Sequence, residues 1–193
     1  MVRNRTAWAT AALMVATLGV AAVPAEATAG STAQATACPT GWGSLAETRS
    51  AGTLEPLTNV RTGRHACFDR MVVDVPGAAG SELGYSVRYV SRLYQDGSGR
   101  QITVGGGAVL EVRVTAPAYD PDTGKPTYPA KAGQRLTGVN LTGYRTFRDA
   151  RFVGSFEGDT QIGLGVRARL PFRVWVAAGR VVVDVAHNWT GAR

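Results

Sequence analysis

Lysine is nearly absent from this chain. Lys125 and Lys131 are the only two, so almost all of its positive charge is arginine. Histidine and cysteine are equally sparse, with two of each. Two cysteines and two distant histidines, His65 and His187, do not make a zinc site. They also leave only two side chains that titrate near neutrality as general bases. A serine nucleophile held on a sharp turn would carry Gly-x-Ser-x-Gly, and no such pentapeptide occurs. Gly105-Gly106-Gly107 is not a phosphate loop, because no lysine or helix start comes after it. Beyond the N-terminal segment, no stretch keeps helical periodicity over three turns, and no apolar run is long enough to span a bilayer. No cofactor is expected.

The N-terminus carries a leader pattern. Arg3 and Arg5 precede an apolar run from Trp8 to Val23, and Ala27-Thr28-Ala29 supplies small residues where a signal peptidase reads. Residues 1–29 are therefore expected to be a secretory signal peptide. A membrane anchor is the alternative, but the run is about 16 residues and a span needs roughly 20. Ala35-Thr36-Ala37-Cys38 loosely resembles a lipid-attachment site, but lies far past the apolar run and lacks the leucine. Cleavage leaves about 164 residues, the size of one domain with one core. The expected location is secreted or at the cell envelope, with no transmembrane span remaining.

In an oxidising compartment the two cysteines, Cys38 and Cys67, make one bridge. Two unpaired thiols are the alternative. The formal charge of +7 suits an anionic wall polymer, an anionic lipid or nucleic acid. A GC-rich genome that encodes arginine at ordinary surface positions explains it equally. Nucleic acid is not expected, since the location is wrong and no recognition module is visible.

Residues 30–37 are small and polar and read as a disordered spacer. Residues 38–63 carry Pro39, Gly41, Gly43, Gly52 and Pro56 and read as an irregular arm, with Trp42 packed beneath it. Short strands come next. Residues 68–75, 84–90, 102–104 and 108–114 are β-branched or alternating, with turn residues between them. Gly105 to Gly107 permits a bulge or tight bend. Four prolines in residues 117–133 exclude a central strand and mark a long loop. Residues 136–139 and 144–147 are weaker strands, 151–156 a further one, and 160–169 alternates throughout. The closing hairpin pairs 172–176 with 181–185 across Ala177-Ala178-Gly179-Arg180. Its second strand is apolar on both faces except at Asp184, so it is expected to be central and covered on both sides. The fold class is all-β: a small β-sandwich of two mainly antiparallel sheets with an irregular, disulfide-stapled N-terminal arm. One domain over residues 38–193 is expected.

Five pieces occur in order: Phe68-Asp69-Arg70-Met71-Val72-Val73-Asp74-Val75, Gly84-Tyr85-Ser86-Val87-Arg88-Tyr89-Val90, Gly154-Ser155-Phe156-Glu157-Gly158, Pro171-Phe172-Arg173-Val174, and Arg180-Val181-Val182-Val183-Asp184-Val185-Ala186-His187. The set resembles the AMIN-like domain of secreted actinobacterial proteins over residues 61–189. It is similar to the AMIN domain attached to cell-wall amidases and to secretin pilus proteins. The resemblance implies an exported β-sandwich that binds peptidoglycan or localises a protein at the envelope. It implies no catalysis, because the amidase activity of such proteins lies in another domain.

The candidate ligand contacts are aromatic and arginine side chains. Tyr85 and Tyr89 share one strand face and would stack a sugar or peptide, with Arg88 pointing the other way. Arg145, Arg148 and Arg151 recur every three residues, and Arg167 and Arg169 share a face; guanidiniums hold phosphates or carboxylates bidentately. Solvated strand faces and a tyrosine-rimmed core are the structural alternative. Asp69, Asp74, Glu157 and Asp184 are the carboxylates a glycoside hydrolase would need, but their spacing does not make a pair converge. Asp74 and Asp184 are read as pairing with Arg70, Arg173 or Arg180 across strands. The expected function is a non-enzymatic module whose partner is peptidoglycan or an attached anionic cell-wall polymer. A secreted protein-binding domain contacting an envelope protein is the second reading, and a small secreted hydrolase the third.

Overall fold

A computed structural model describes residues 38–189. The expected signal peptide and the 30–37 spacer lie outside the described residues. Within them the fold is a β-sandwich. One sheet has the order β10-β11-β3-β2, built from β2 (Asn59–Arg64), β3 (Phe68–Asp74), β10 (Phe172–Ala177) and β11 (Arg180–Ala186). The other has the order β1-β4-β7-β9-β8, from β1 (Glu47–Arg49), β4 (Gly84–Val90), β7 (Ala108–Thr115), β8 (Phe147–Phe156) and β9 (Asp159–Val166). A small hairpin, β5 (Leu93–Tyr94) with β6 (Gln101–Ile102), makes a third unit. Every named strand pairing is antiparallel.

The core fills the space between the two sheets by strand alternation. Met71 and Val73 stand opposite Val183 and Val181, and Leu110 and Val112 stand opposite Leu164 and Ile162. All eight are fully buried. β11 is central, as expected, and its outward Val182 and Asp184 are buried as well.

The outer face of the second sheet is covered by the β5–β6 hairpin and the 105–107 glycines. A side chain at Gly163 would meet Leu93 at 2.4 Å, and one at Gly165 would meet the Gly105 carbonyl at 1.7 Å. These two glycines permit the close approach. The β8–β9 turn is Glu157-Gly158, with both residues at positive φ (50° and 88°), as a type I′ turn requires.

Several expectations need correction. The arm is not irregular throughout, because it gives an edge strand to each sheet: β1 to one and β2 to the other. Residues 136–139 and 144–146 are not strands; only an isolated bridge, Arg135 to Arg151, pairs this segment with β8. Leu136 contributes to the core as a single buried residue, which mimics a strand in the pattern. The 160–169 run ends at Val166, where the chain leaves the sheet. The long 117–133 loop is anchored: Leu57 donates to the Pro117 carbonyl at 2.7 Å, Ala118 donates to Ser155 Oγ at 2.9 Å, and Tyr128 is buried in the core. The Cys38–Cys67 bridge is present, with Cα atoms 5.3 Å apart.

Candidate functional site

Strand β8 is an edge strand of ten residues, and a bulge interrupts it between Phe147 and Asp149. In a regular strand, residues three apart point to opposite faces. The bulge inserts Arg148 as an extra residue and re-aims the side chains beyond it. Arg148 and Arg151 therefore line one open cleft of about 800 Å³. Arg100, beside the β5–β6 hairpin, and Arg135, from the loop alongside β8, complete its basic lining. A smaller groove continues past Arg135 and Arg148 toward Asn140 and Thr142.

The cleft's carboxylate is Asp149, which is buried. It accepts hydrogen bonds from Gly105 N at 3.0 Å and Arg151 Nε at 2.7 Å, and Arg135 Nε lies 3.6 Å away. Four guanidiniums thus share the cleft with one carboxylate. Arg148 is braced on the backbone: Nη1 donates to the carbonyls of Tyr144 (3.0 Å) and Phe147 (2.9 Å), and Nη2 to Arg145 (3.0 Å). Arg151 Nη1 donates to the Gly133 carbonyl at 3.2 Å. Bracing of this kind lowers the rotamer entropy lost when an anion binds. Arg135 is 78% exposed and supplies a solvated charge at the rim.

The other candidate residues lie elsewhere. Tyr85 and Tyr89 face inward and pack against the main core. The Tyr89 hydroxyl donates to the Leu170 carbonyl (2.7 Å) and accepts from the Leu170 amide (3.0 Å), and burial pushes its pKa up to about 12. It is a clamp between the sheets, with its ring edge against Phe172. Arg88 pairs with buried Glu111 at 2.8 Å. Arg145 reaches the Ala66 carbonyl at 3.5 Å. Arg167 donates to the His187 carbonyl, and Arg169 donates to the Ser44 carbonyl at 2.9 Å. Of the eight candidate ligand contacts, Arg148 and Arg151 converge on the cleft.

His187 is buried, with Nδ1 3.2 Å from the Ala66 carbonyl and Nε2 3.1 Å from Asp69 Oδ1. Asp69 Oδ2 meanwhile accepts from the amides of Thr146 (2.6 Å) and Phe147 (3.1 Å). Both ring nitrogens are engaged within the fold. The cross-strand pairs expected for Asp74 and Asp184 form: Arg70 and Arg173 bind Asp184 at 2.6 and 2.9 Å, and Arg61 binds Asp74 at 2.8 Å, with Arg180 at 3.7 Å. Arg61, Arg100 and Arg135 carried no signal in sequence spacing; strand register and loop path bring them into place. Among the described residues no group of three His, Cys, Asp or Glu side chains is placed to hold a metal, and no helix is long and apolar enough to cross a membrane.

No curated protein and no solved structure matches the chain. The AMIN-like domain family model matches residues 55–187, well over half of the chain and nearly all of both sheets. Such a domain is in general a cell-wall-associated binding domain, and the disulfide is consistent with an extracytoplasmic location. The chain belongs to the AMIN-like domain family.

Proposed function

We propose that this chain is a secreted, non-enzymatic envelope-binding module that engages peptidoglycan, or an anionic polymer attached to it, through the basic cleft beside β8. The observation that carries this reading is the convergence of Arg100, Arg135, Arg148 and Arg151 on one open cleft with a single carboxylate, Asp149. Guanidiniums bind carboxylates and phosphates in a bidentate manner, and an open cleft admits a polymer along its length. The engagement of both His187 nitrogens supports a binding role over a catalytic one, since a general base must reach a substrate proton.

The test is co-sedimentation of the purified chain with isolated sacculi, before and after acid removal of their attached anionic polymers. Binding at low salt should fall as salt rises, because exposed charges are screened beyond about 10 Å at 0.1 M. Arg135→Gln combined with Arg148→Gln should weaken binding at least tenfold. Equal sedimentation of this variant and the natural chain would remove the cleft from the account. Loss of binding after acid treatment identifies the attached polymer as the partner; retention identifies peptidoglycan.

A further inference from the structure

The outer face of the β10-β11-β3-β2 sheet carries a ladder of rings and guanidiniums. Arg173 Cζ lies 4.6 Å from the Trp42 ring centroid and 5.8 Å from that of Phe68. Arg70 Cζ lies 5.1 Å from Phe68 and 5.3 Å from Trp175. The order is therefore Trp42, Arg173, Phe68, Arg70, Trp175. Each separation is within reach of a cation–π contact. Beneath the ladder, Asp184 is wholly buried and accepts from Arg70 Nε (2.6 Å) and Nη2 (2.9 Å), and from Arg173 Nε (2.9 Å). One carboxylate thus locks both cationic rungs.

The ladder ends on a tryptophan that is 37% exposed and stands at the end of a groove of about 290 Å³. Val72 and Val182, both buried, lie beneath the groove, with Arg70 and Trp175 at one end and Arg61 and Arg180 at the other. Gly63, paired opposite Arg70, adds no side chain on the β2 side, where the His65 imidazole, stacked on Phe68 with centroids 4.5 Å apart, lines the groove. Arg70 lies over one face of the end ring and its indole Nε1 donates to Asp184 Oδ2 at 3.4 Å, so the same carboxylate also orients the ring, whose exposed part borders the groove. Arg61 and Arg180 disfavour a further cation, although the half-buried Asp74 between them offsets part of their charge. The groove suits a flat, neutral C–H surface carrying a negative substituent a few ångströms away.

The geometry points to a second binding site, on the sheet face and separate from the β8 cleft, that takes an acidic saccharide. A pyranose ring would stack on Trp175, and its carboxylate or phosphate would reach Arg180. This site stands independently of the proposed function, since it shares no lining residue with the cleft.

The test uses the full secreted chain and a short oligogalacturonate as the acidic-saccharide probe, with its methyl ester as the neutral control. The Trp175 indole NMR signal, assigned by its loss in Trp175→Ala and so distinguished from those of Trp42 and Trp189, reports binding at this face. We expect the indole signal to move with the acid, with affinity at least tenfold weaker for the ester. Trp175→Ala and, separately, Arg180→Gln should each reduce affinity at least fivefold. Arg180 is exposed and makes only a long contact, so its variant folds as the natural chain does. Arg135→Gln with Arg148→Gln should leave this binding unchanged. An unmoved indole signal, equal binding of acid and ester, or unaltered affinity in both face variants would overturn the site. Loss of oligogalacturonate binding only in the cleft variant would also overturn it, while leaving the cleft reading intact.

Discussion

The Glu47 carboxylate accepts a hydrogen bond from the Val174 amide at 3.0 Å, and the two residues belong to different sheets. Val174 sits on edge strand β10, where an amide without a partner invites pairing with another chain. Glu47 closes that position with a side chain from β1. Burial raises the Glu47 pKa, and the Val174 amide lowers it by a smaller amount. A carboxyl whose pKa is higher folded than unfolded favours the folded state at low pH and costs stability as pH rises through the carboxyl range. Glu47→Gln keeps the acceptor and removes the charge. The variant should match or exceed the natural chain at pH 7, by less than about 1 kcal/mol since the site is half exposed. That gain should shrink as pH falls below the carboxyl range. Urea unfolding at both ends of the range checks the sign. Glu47→Ala should cost about 1 kcal/mol and raise the aggregation rate.

Tyr89 both donates to and accepts from Leu170, so Tyr89→Phe leaves a backbone amide and a carbonyl without partners. The expected cost is about 1–3 kcal/mol in chemical denaturation. An ultraviolet titration should show two tyrosines, Tyr89 and Tyr128, ionising only at about pH 12, and the variant should lose one of the two.

Asp184→Ala removes the carboxylate that binds Arg70 and Arg173. Breaking a fully buried pair costs about 3–5 kcal/mol, but both guanidiniums reach solvent, so about 2 kcal/mol is expected. Asp184→Asn should recover part of it, because the amide oxygen still accepts. Thermal unfolding of the two variants ranks them.

Reducing the Cys38–Cys67 bridge frees a segment with a sequence separation of 29. The chain-entropy relation gives a loss of about 3–4 kcal/mol, most of it arising in the unfolded state. A Cys38→Ser, Cys67→Ser double variant should unfold at correspondingly lower denaturant with a similar native spectrum.

The strands were legible where alternation or β-branching was strong. Residues 84–90 match β4, and the closing hairpin stands within a residue of its expected limits. Leu136 misled because one buried leucine beside polar neighbours looks like half a strand. The arm misled because its prolines and glycines hid two short strands that depend on tertiary pairing more than on propensity. The site was legible only in part. Arg148 and Arg151 share the cleft through a bulge, and nothing in a period of three announces a bulge. Arg167 and Arg169 followed a correct alternation past the point where the strand stops. Tyr85 and Tyr89 did share a face, but that face is the inner one.

The sulfur bridge also fixes the path of mechanical force. A pull applied at residue 38 crosses directly to Cys67 and enters the sheet at β3, in the middle of its strand order. The chain between the two cysteines, with both of its edge strands, is bypassed and carries no tension. A domain tethered at that end would bear strain on its paired interior strands and keep its edges closed.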